Sequence, residues 1–339
     1  MTPSKTFVSG IKPTGRLHIG NYFGAVGQFI KLSEDHESFV FVADLHALTS
    51  LHNPEELRKN ILSVAIDYIA LGLDPQKTTI FLQSTVPAHT ELAWIFNCIT
   101  TMPYLMRAHA FKDAEAKNKE ISVGVFDYPL LMAADILLYD ADIVPVGHDQ
   151  KQHVEIARDT AQKFNRTFAD SNGSNNSDGS NGGDIFKLPE PLILDDVGVV
   201  PGIDGQKMSK SHNNTIGLFD SDAEIKTAVM KIPTDSKGVN EPKDPTTCKI
   251  FALHKLFADK AELENLREKY VGAKIGYKES KELLAANISR FVSPLREKRA
   301  EIALNPESVL KILREGAEKA REKSEKKMAV VRKALGISI

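Results

Sequence analysis

The chain has 339 residues, 42% of them hydrophobic and 26% charged, with a formal net charge of -2, which excludes wholesale disorder and a surface that attracts polyanions as a whole. The length suggests two domains of roughly 150 residues each, and the lack of a run of about eighteen apolar residues argues against a membrane span. Two isolated cysteines, Cys98 and Cys248, exclude a disulfide framework or a cysteine metal cluster and suit a reducing cytoplasm.

Four residues precede the first strand-like stretch, Lys5 to Ile11, leaving no room for a signal or transit peptide. A Pro/Gly turn at Pro13 and Gly15 follows, then a helical pattern with Ile19, Phe23, Val26 and Ile30 three or four apart. Ser38 to Asp44 reads as a buried strand. Asn53, Pro54, Glu55 and Glu56 open a helix: an N-cap, a proline in the first turn and acids at the positive end of the dipole, continued by Leu57, Ile61, Val64 and Tyr68. Thr78 to Leu82 is a third strand, Pro87 to Thr100 a helix, and Asp142 to Val146 another short strand. This alternation predicts an α/β fold, a doubly wound parallel (Rossmann-like) sheet whose ligands sit at the carboxyl ends of the strands. Residues 170–184 are all Asp, Ser, Asn or Gly, a composition that buries nothing and predicts a flexible surface insertion. Beyond Thr215 the pattern is helical, ending in a charged helix from about Pro306 to Leu335. The expected division is a catalytic domain, 1–214, and an all-helical domain, 215–339, whose last helix packs back toward the first.

Two segments carry phosphate chemistry. In Gly10-Ile-Lys-Pro-Thr-Gly-Arg-Leu-His18-Ile-Gly20-Asn21 a strand runs through a glycine turn into a helix, whose first N–H groups and dipole suit an anion. His18 and Asn21 offer hydrogen bonds there, and Gly20 admits a close approach; alone, such a joint is also an ordinary strand-turn-helix. In Lys207-Met208-Ser209-Lys210-Ser211, two lysines three apart in a loop suit a triphosphate and its departing pyrophosphate, although a basic loop is otherwise just a solvated turn. A third segment, Tyr128 to Tyr139, is an apolar helix with one carboxylate, Asp135. Burying an ionised Asp is costly unless it finds donors. An ammonium or an indole N–H would supply one, and so would a neighbouring helix end or an arginine.

H-I-G-N followed about 190 residues later by K-M-S-K-S resembles the signature of class I aminoacyl-tRNA synthetases. With S-G-I-K-P-T-G, Y-P-L-L-M-A-A-D-I-L-L-Y and D-I-V-P-V-G-H-D-Q-K-Q-H, essentially the whole chain resembles the bacterial-type tryptophanyl-tRNA synthetases. The resemblance implies tryptophan activation by ATP, transfer to the 2′-OH of tRNA(Trp), and a homodimer whose tRNA spans both subunits. Membrane and DNA are not expected as partners, and Mg2+ enters with ATP, with no dedicated protein cage. It further implies that Asp135 accepts the indole N–H, that Met132 packs beside the ring, and that Tyr128 and Gln150 hold the ammonium and carboxylate end. Lys12, Pro13, Thr14, Gly20 and Asn21 would contact ATP, as would Gly147, His148 and Asp149 around the adenosine, with Val200 lining the adenine site. His18, Asn21, Lys207 and Lys210 would be catalytic, the loop Lys207, Met208, Ser209, Lys210 and Ser211 gripping the triphosphate. Lys12 departs from the family pattern, in which Gln is common.

The rivals are a tyrosyl-tRNA synthetase, which matches the Met-Ala-Ala-Asp helix less well, and a synthetase-like regulatory protein that binds nucleotide or tRNA without turnover. A nucleotidyltransferase would not need the long helical half. Trp94 and Cys98, one helical turn apart, read as packing residues. Between Lys311 and Lys333 stand nine Lys/Arg and four Glu, a helix that suits either RNA phosphates or a solvated face.

Overall fold

The computed structural model describes residues 4–116, 120–168, 184–193 and 200–338, so the insertion expected at 170–184 lies almost wholly outside the described residues. Five parallel strands form one sheet: β1 (Thr6–Ile11), β2 (Glu37–Val42), β3 (Thr78–Leu82), β4 (Ile143–Pro145) and β5 (Glu190–Leu192), in the order β3-β2-β1-β4-β5. β1 runs beside β2 from Thr6↔Glu37 to Ile11↔Val42, and β2 beside β3 from Ser38↔Thr78 to Val42↔Leu82. The chain therefore winds outward from β1 to β3 and then returns to β1's other side, where Phe7 pairs with Ile143 of β4. That reversal opens a crevice between the carboxyl ends of β1 and β4.

Helices cover both faces: α1 (19–32), α2 (Pro54–Leu71), α3 (Ala88–Ile99), α4 (Val123–Leu137) and α5 (Lys151–Phe168). Within α1 the stretch Tyr22–Val26 widens into a π-helical turn between Ile19–Asn21 and Gly27–Leu32, a device frequent near functional sites. α2 starts where the Asn53 side chain accepts the N–H groups of Glu55 and Glu56, each at 3.0 Å. It ends at Gly72, whose φ of 111° needs glycine. One apolar cluster joins Phe39, Phe81, Phe96, Leu130 and Tyr139 on one face of the sheet, and another joins Phe7, Val40, Val64 and Tyr68 on the other.

The remaining helices are α6 (Asp222–Met230), α7 (Lys249–Phe257), α8 (Lys260–Val271), α9 (Tyr277–Ala303) and α10 (Pro306–Leu335). α10 lies along the edge strand β3, and Gly316 sits so close that an added Cβ would collide with the Ile80 carbonyl. The apolar stripe Val309, Leu313 and Val331 is buried. Many of its bases engage the sheet body: Arg332 pairs with Glu91 and Glu325, Lys323 with Glu37, Lys327 with Asp140, and Arg321 Nε donates to the Thr85 carbonyl. Part of its charge thus braces the molecule, while Lys311, Arg314 and Lys326 remain exposed. α9 is tied to α2 by Arg299, which donates to Asp67 Oδ1 at 2.5 Å and to Ser63 at 2.8 Å.

One expectation fails. Trp94 is 70% exposed and Cys98 is also exposed, so neither packs within this chain. Helical periodicity marked α3 as amphipathic but could not tell an internal apolar face from an external one.

Candidate active site

The crevice between β1 and β4 holds a cavity of about 350 Å³. Gly10 and Lys12 line it from the end of β1, Val146 and Gly147 from the end of β4, Tyr128, Met132 and Asp135 from α4, and Gln150 from the turn before α5. Gly10 is needed because a Cβ there would strike the Phe41 ring and carbonyl. Tyr128 reaches across to His153, hydroxyl to Nε2, at 2.8 Å. Lys12 Nζ lies 5.2 Å from the centre of the Tyr128 ring, a cation–π distance. Desolvation by the cavity wall pulls its ammonium below the ordinary lysine pKa, although the residue as a whole is exposed.

Asp135 is 2% exposed. Its Oδ1 accepts from Gln83 Nε2 at 2.7 Å and His89 Nδ1 at 2.6 Å, and its Oδ2 from His46 Nε2 at 2.7 Å. Burial alone would raise its pKa. The charges and hydrogen bonds of His46 and His89 outweigh that and hold it at about 2, so the carboxylate stays ionised inside an apolar wall. A carboxylate has about four acceptor positions, so Oδ2, with a single protein donor, keeps one to offer.

Beside the cavity lies a second polar edge, built from the start of α1 and the 207–211 loop. The His18 N–H is held by Asn21 Oδ1 at 3.0 Å, and the ring is buried. Desolvation, and then the charge of Lys210, push its pKa down to about 4, so His18 meets a ligand as a neutral imidazole. Residues 216–218 return antiparallel to the start of α1: Ile19 N–H bonds the Ile216 carbonyl at 3.0 Å and Leu218 N–H the Leu17 carbonyl at 3.0 Å. This draws the preceding loop against the helix start, where a Cβ on Gly20 would come 2.9 Å from the His18 ring and 3.3 Å from Met208. Lys210 Nζ donates to the Thr14 carbonyl at 3.2 Å, closing the loop over the glycine turn. Desolvation lowers its pKa, against the opposing pull of Asp67.

The residues expected to bind or react thus fall into two adjoining groups. Lys12, Tyr128, Met132, Asp135, Gly147 and Gln150 share the cavity, while Thr14, His18, Gly20, Asn21, Met208 and Lys210 gather at the edge. Pro13 is buried under the turn, and Lys207 and His148 are exposed. Val200 is buried, its carbonyl accepting the Met208 N–H at 2.9 Å. The loop also ties Ser209 N–H to Asn214 Oδ1 at 2.7 Å. The side chains of Asp149 and Ser211 lie outside the described residues.

Sequence reasoning passed over His46, Gln83, His89 and Asn214. The first three stand in helical turns just past β2 and β3, D-L-H and Q-S-T-V-P-A-H, and polar residues at strand ends in an α/β sheet were the available signal. Asn214, 1% exposed, organises the signature loop: its Nδ2 donates to Asp204 Oδ1 at 2.8 Å and to the Lys207 carbonyl at 3.0 Å.

The model of the tRNA synthetases class I (W and Y) matches residues 2–293. The tryptophan--tRNA ligase of Fusobacterium nucleatum is 46% identical over 333 residues, covering 98% of both chains, and that of Rhodopirellula baltica is 48% identical over 315 residues, covering 93% of this chain and 94% of its own. The crystal structure of tryptophanyl-tRNA synthetase from Campylobacter jejuni, complexed with ADP and tryptophan, superposes with a TM-score of 0.87 at 42% identity, covering 98% of this chain and 99% of its own. A tyrosyl-tRNA synthetase from Archaeoglobus fulgidus, at 21% identity and a TM-score of 0.64, shares the fold alone. The chain belongs to the class I tRNA synthetases for tryptophan and tyrosine, among the tryptophanyl-tRNA synthetases of bacterial type.

Proposed function

We propose that this chain activates L-tryptophan with ATP in the β1/β4 crevice and charges tRNA(Trp) with it. The observation that carries the residue assignment is the ionised Asp135, walled in by apolar groups yet keeping an acceptor position on Oδ2. An indole N–H satisfies it; a phenylalanine ring leaves a desolvated acceptor unpaired, a far stronger rejection than an apolar slot achieves. Met132 flanks the bicyclic ring, and Tyr128 and Gln150 meet the ammonium and carboxylate end.

In the first step a tryptophan carboxylate oxygen bonds to the α-phosphorus of ATP as the bond to the bridging oxygen breaks, and pyrophosphate leaves with its Mg2+. The protein contributes position and electrostatics. His18 and Asn21 stand at the α-phosphate, Lys207 and Lys210 at the outgoing pyrophosphate, and the backbone around Pro13, Thr14 and Gly20 lets the triphosphate approach. Gly147, His148, Asp149 and Val200 take the adenosine. The lowered pKa values of Lys12 and Lys210 report ammoniums short of solvation, which an arriving polyanion relieves. In the second step the terminal 2′-OH of tRNA attacks the carbonyl carbon and AMP leaves.

Residues 1–214 serve as the catalytic domain and 215–339 as the helical tRNA-binding domain. No described helix is long and apolar enough to cross a membrane, and we place the enzyme in the cytoplasm. Leu48, Trp94, Met102, Met106 and Val123 are exposed apolar side chains, several beside a shallow hollow next to Tyr128, and they support a homodimer. Sedimentation at micromolar concentration should give twice the chain mass, with Trp94→Glu shifting it toward the monomer. Tryptophan-dependent ATP–pyrophosphate exchange tests the activity itself; exchange with tyrosine and none with tryptophan would overturn it.

A further inference from the structure

Asp135 does not stand on its own backbone alone. His89, fully buried, places Nδ1 2.6 Å from Asp135 Oδ1 and Nε2 2.8 Å from the Tyr139 hydroxyl. Neither His89 nor Tyr139 lines the cavity, so neither can touch a ligand there. An ionised carboxylate cannot donate, so Nδ1 carries the proton toward it. Burial keeps the Tyr139 phenol protonated, its pKa well above the ordinary value, so its O–H can supply Nε2. Aromatic rings fix the arrangement: Tyr139 stacks on Phe39 at 4.6 Å between centres, and His89 lies 5.8 Å from Phe41 and 6.1 Å from Phe81.

We infer that His89, locked by Tyr139, is a positioning residue that occupies Asp135 Oδ1 together with Gln83, and so makes Oδ2 the oxygen presented to the ligand's N–H. The acceptor count supports this. Among the described residues Oδ1 has two donors and is full, whereas Oδ2 has only His46. Without the His89 donor Oδ1 would keep Gln83 alone and gain an open acceptor position, and the carboxylate could turn about its terminal torsion, a broad one, to share its acceptors between both oxygens. The chain Tyr139–His89–Asp135 thereby acts on selectivity for an N–H group rather than on the reaction. The inference rests on the assignment of Asp135 to the indole.

The test compares tryptophan with 3-(benzothiophen-3-yl)alanine, which keeps the bicyclic shape and replaces the N–H by sulfur. Both are assayed by ATP–pyrophosphate exchange on the full chain. His89→Leu should reduce the preference for tryptophan by about tenfold or more, with the analogue's kcat/KM and the KM for ATP little changed. His89→Asn, whose Nδ2 can take the place of Nδ1, should recover much of the preference. Tyr139→Phe, which keeps the packing but leaves Nε2 without its donor and the imidazole anchored by Asp135 alone, should lower it by roughly threefold. Equal losses for both amino acids in His89→Leu, or an unaltered preference, would overturn the inference. If His89→Leu does not fold, as judged by its unfolding transition, an unaltered preference in Tyr139→Phe overturns it instead. Asp135→Asn separates the two levels. If that variant keeps the wild-type preference, the indole assignment itself is wrong; if it loses the preference while His89→Leu keeps it, only the positioning role falls.

Discussion

In the cavity a single carboxylate, 2% exposed, is gripped by three donors from three segments. Along the neighbouring edge, Lys207 and Lys210 stand on an exposed loop that is held by the Met208 and Ile203 N–H groups on the Val200 and Asn214 carbonyls, by the Ser209 N–H on Asn214 Oδ1 and by Lys210 Nζ on the Thr14 carbonyl. Each arrangement suits its task. Choosing between similar side chains calls for a fixed charge that suffers when unpaired, because the low local dielectric magnifies the difference. Stabilising charge that moves along a breaking phosphate bond calls for cations that can follow it. Three side-chain hydrogen bonds fix the carboxylate while the lysines stand on an exposed loop, in keeping with the proposed roles of selection in the cavity and charge relief at the edge.

The largest effect should come from Asp135→Asn. Replacing the charged acceptor leaves the buried indole N–H without a strong partner, a loss of about 3 kcal/mol, so kcat/KM for tryptophan in exchange should fall by roughly two orders of magnitude, with the KM for ATP much less affected. Comparable losses in both would dissolve the division between the regions. Next, Lys210→Ala should lower the activation turnover by about 100-fold while the KM for tryptophan moves by less than about threefold; an unchanged turnover would remove the loop from the chemistry.

The last effect is on stability rather than activity and concerns Asp67, a carboxylate beneath the edge. Burial raises its pKa to about 6 even with Arg299 beside it, and the charges of Lys210 and Arg16 reach it as well. The folded state therefore holds this proton more tightly than the unfolded chain. Its contribution favours folding at pH below the ordinary aspartate range and is lost as pH rises through about 6, by up to about 3 kcal/mol. The melting temperature of Asp67→Asn minus that of the wild type should increase from pH 4 to pH 7. A flat difference would mean that Arg299 fully compensates the burial.

Much of the scaffold could be read from local chemistry. Thr78–Leu82 is an apolar run between turn residues, and Pro306–Leu335 is bounded by the Asn305 cap and by Gly336 at a φ of 71°. β4 was legible too, Asp142 to Val146 reading as a strand where Ile143–Pro145 form one, whereas the three-residue β5, Glu190–Leu192, is too short to show a pattern. The π-helical turn at Tyr22–Val26 has no periodic signal, because it depends on tertiary packing. In the site, the residues inside recognisable strings were legible. His46, Gln83 and His89 were not, because they converge on Asp135 from sequence separations of 89, 52 and 46 residues. Trp94 was misread for a related reason: apolar spacing reports that a face needs cover, not which molecule provides it.

Gly316 has a consequence for biosynthesis. β3 is an edge strand, and the helix that shelters it, Pro306–Leu335, is synthesised long after it. Until then the nascent sheet presents an open border on which a second chain could template itself. A ribosome that stalls before this helix is made should therefore release an aggregation-prone fragment, and any side chain larger than hydrogen at position 316 would keep that border ajar in the folded protein.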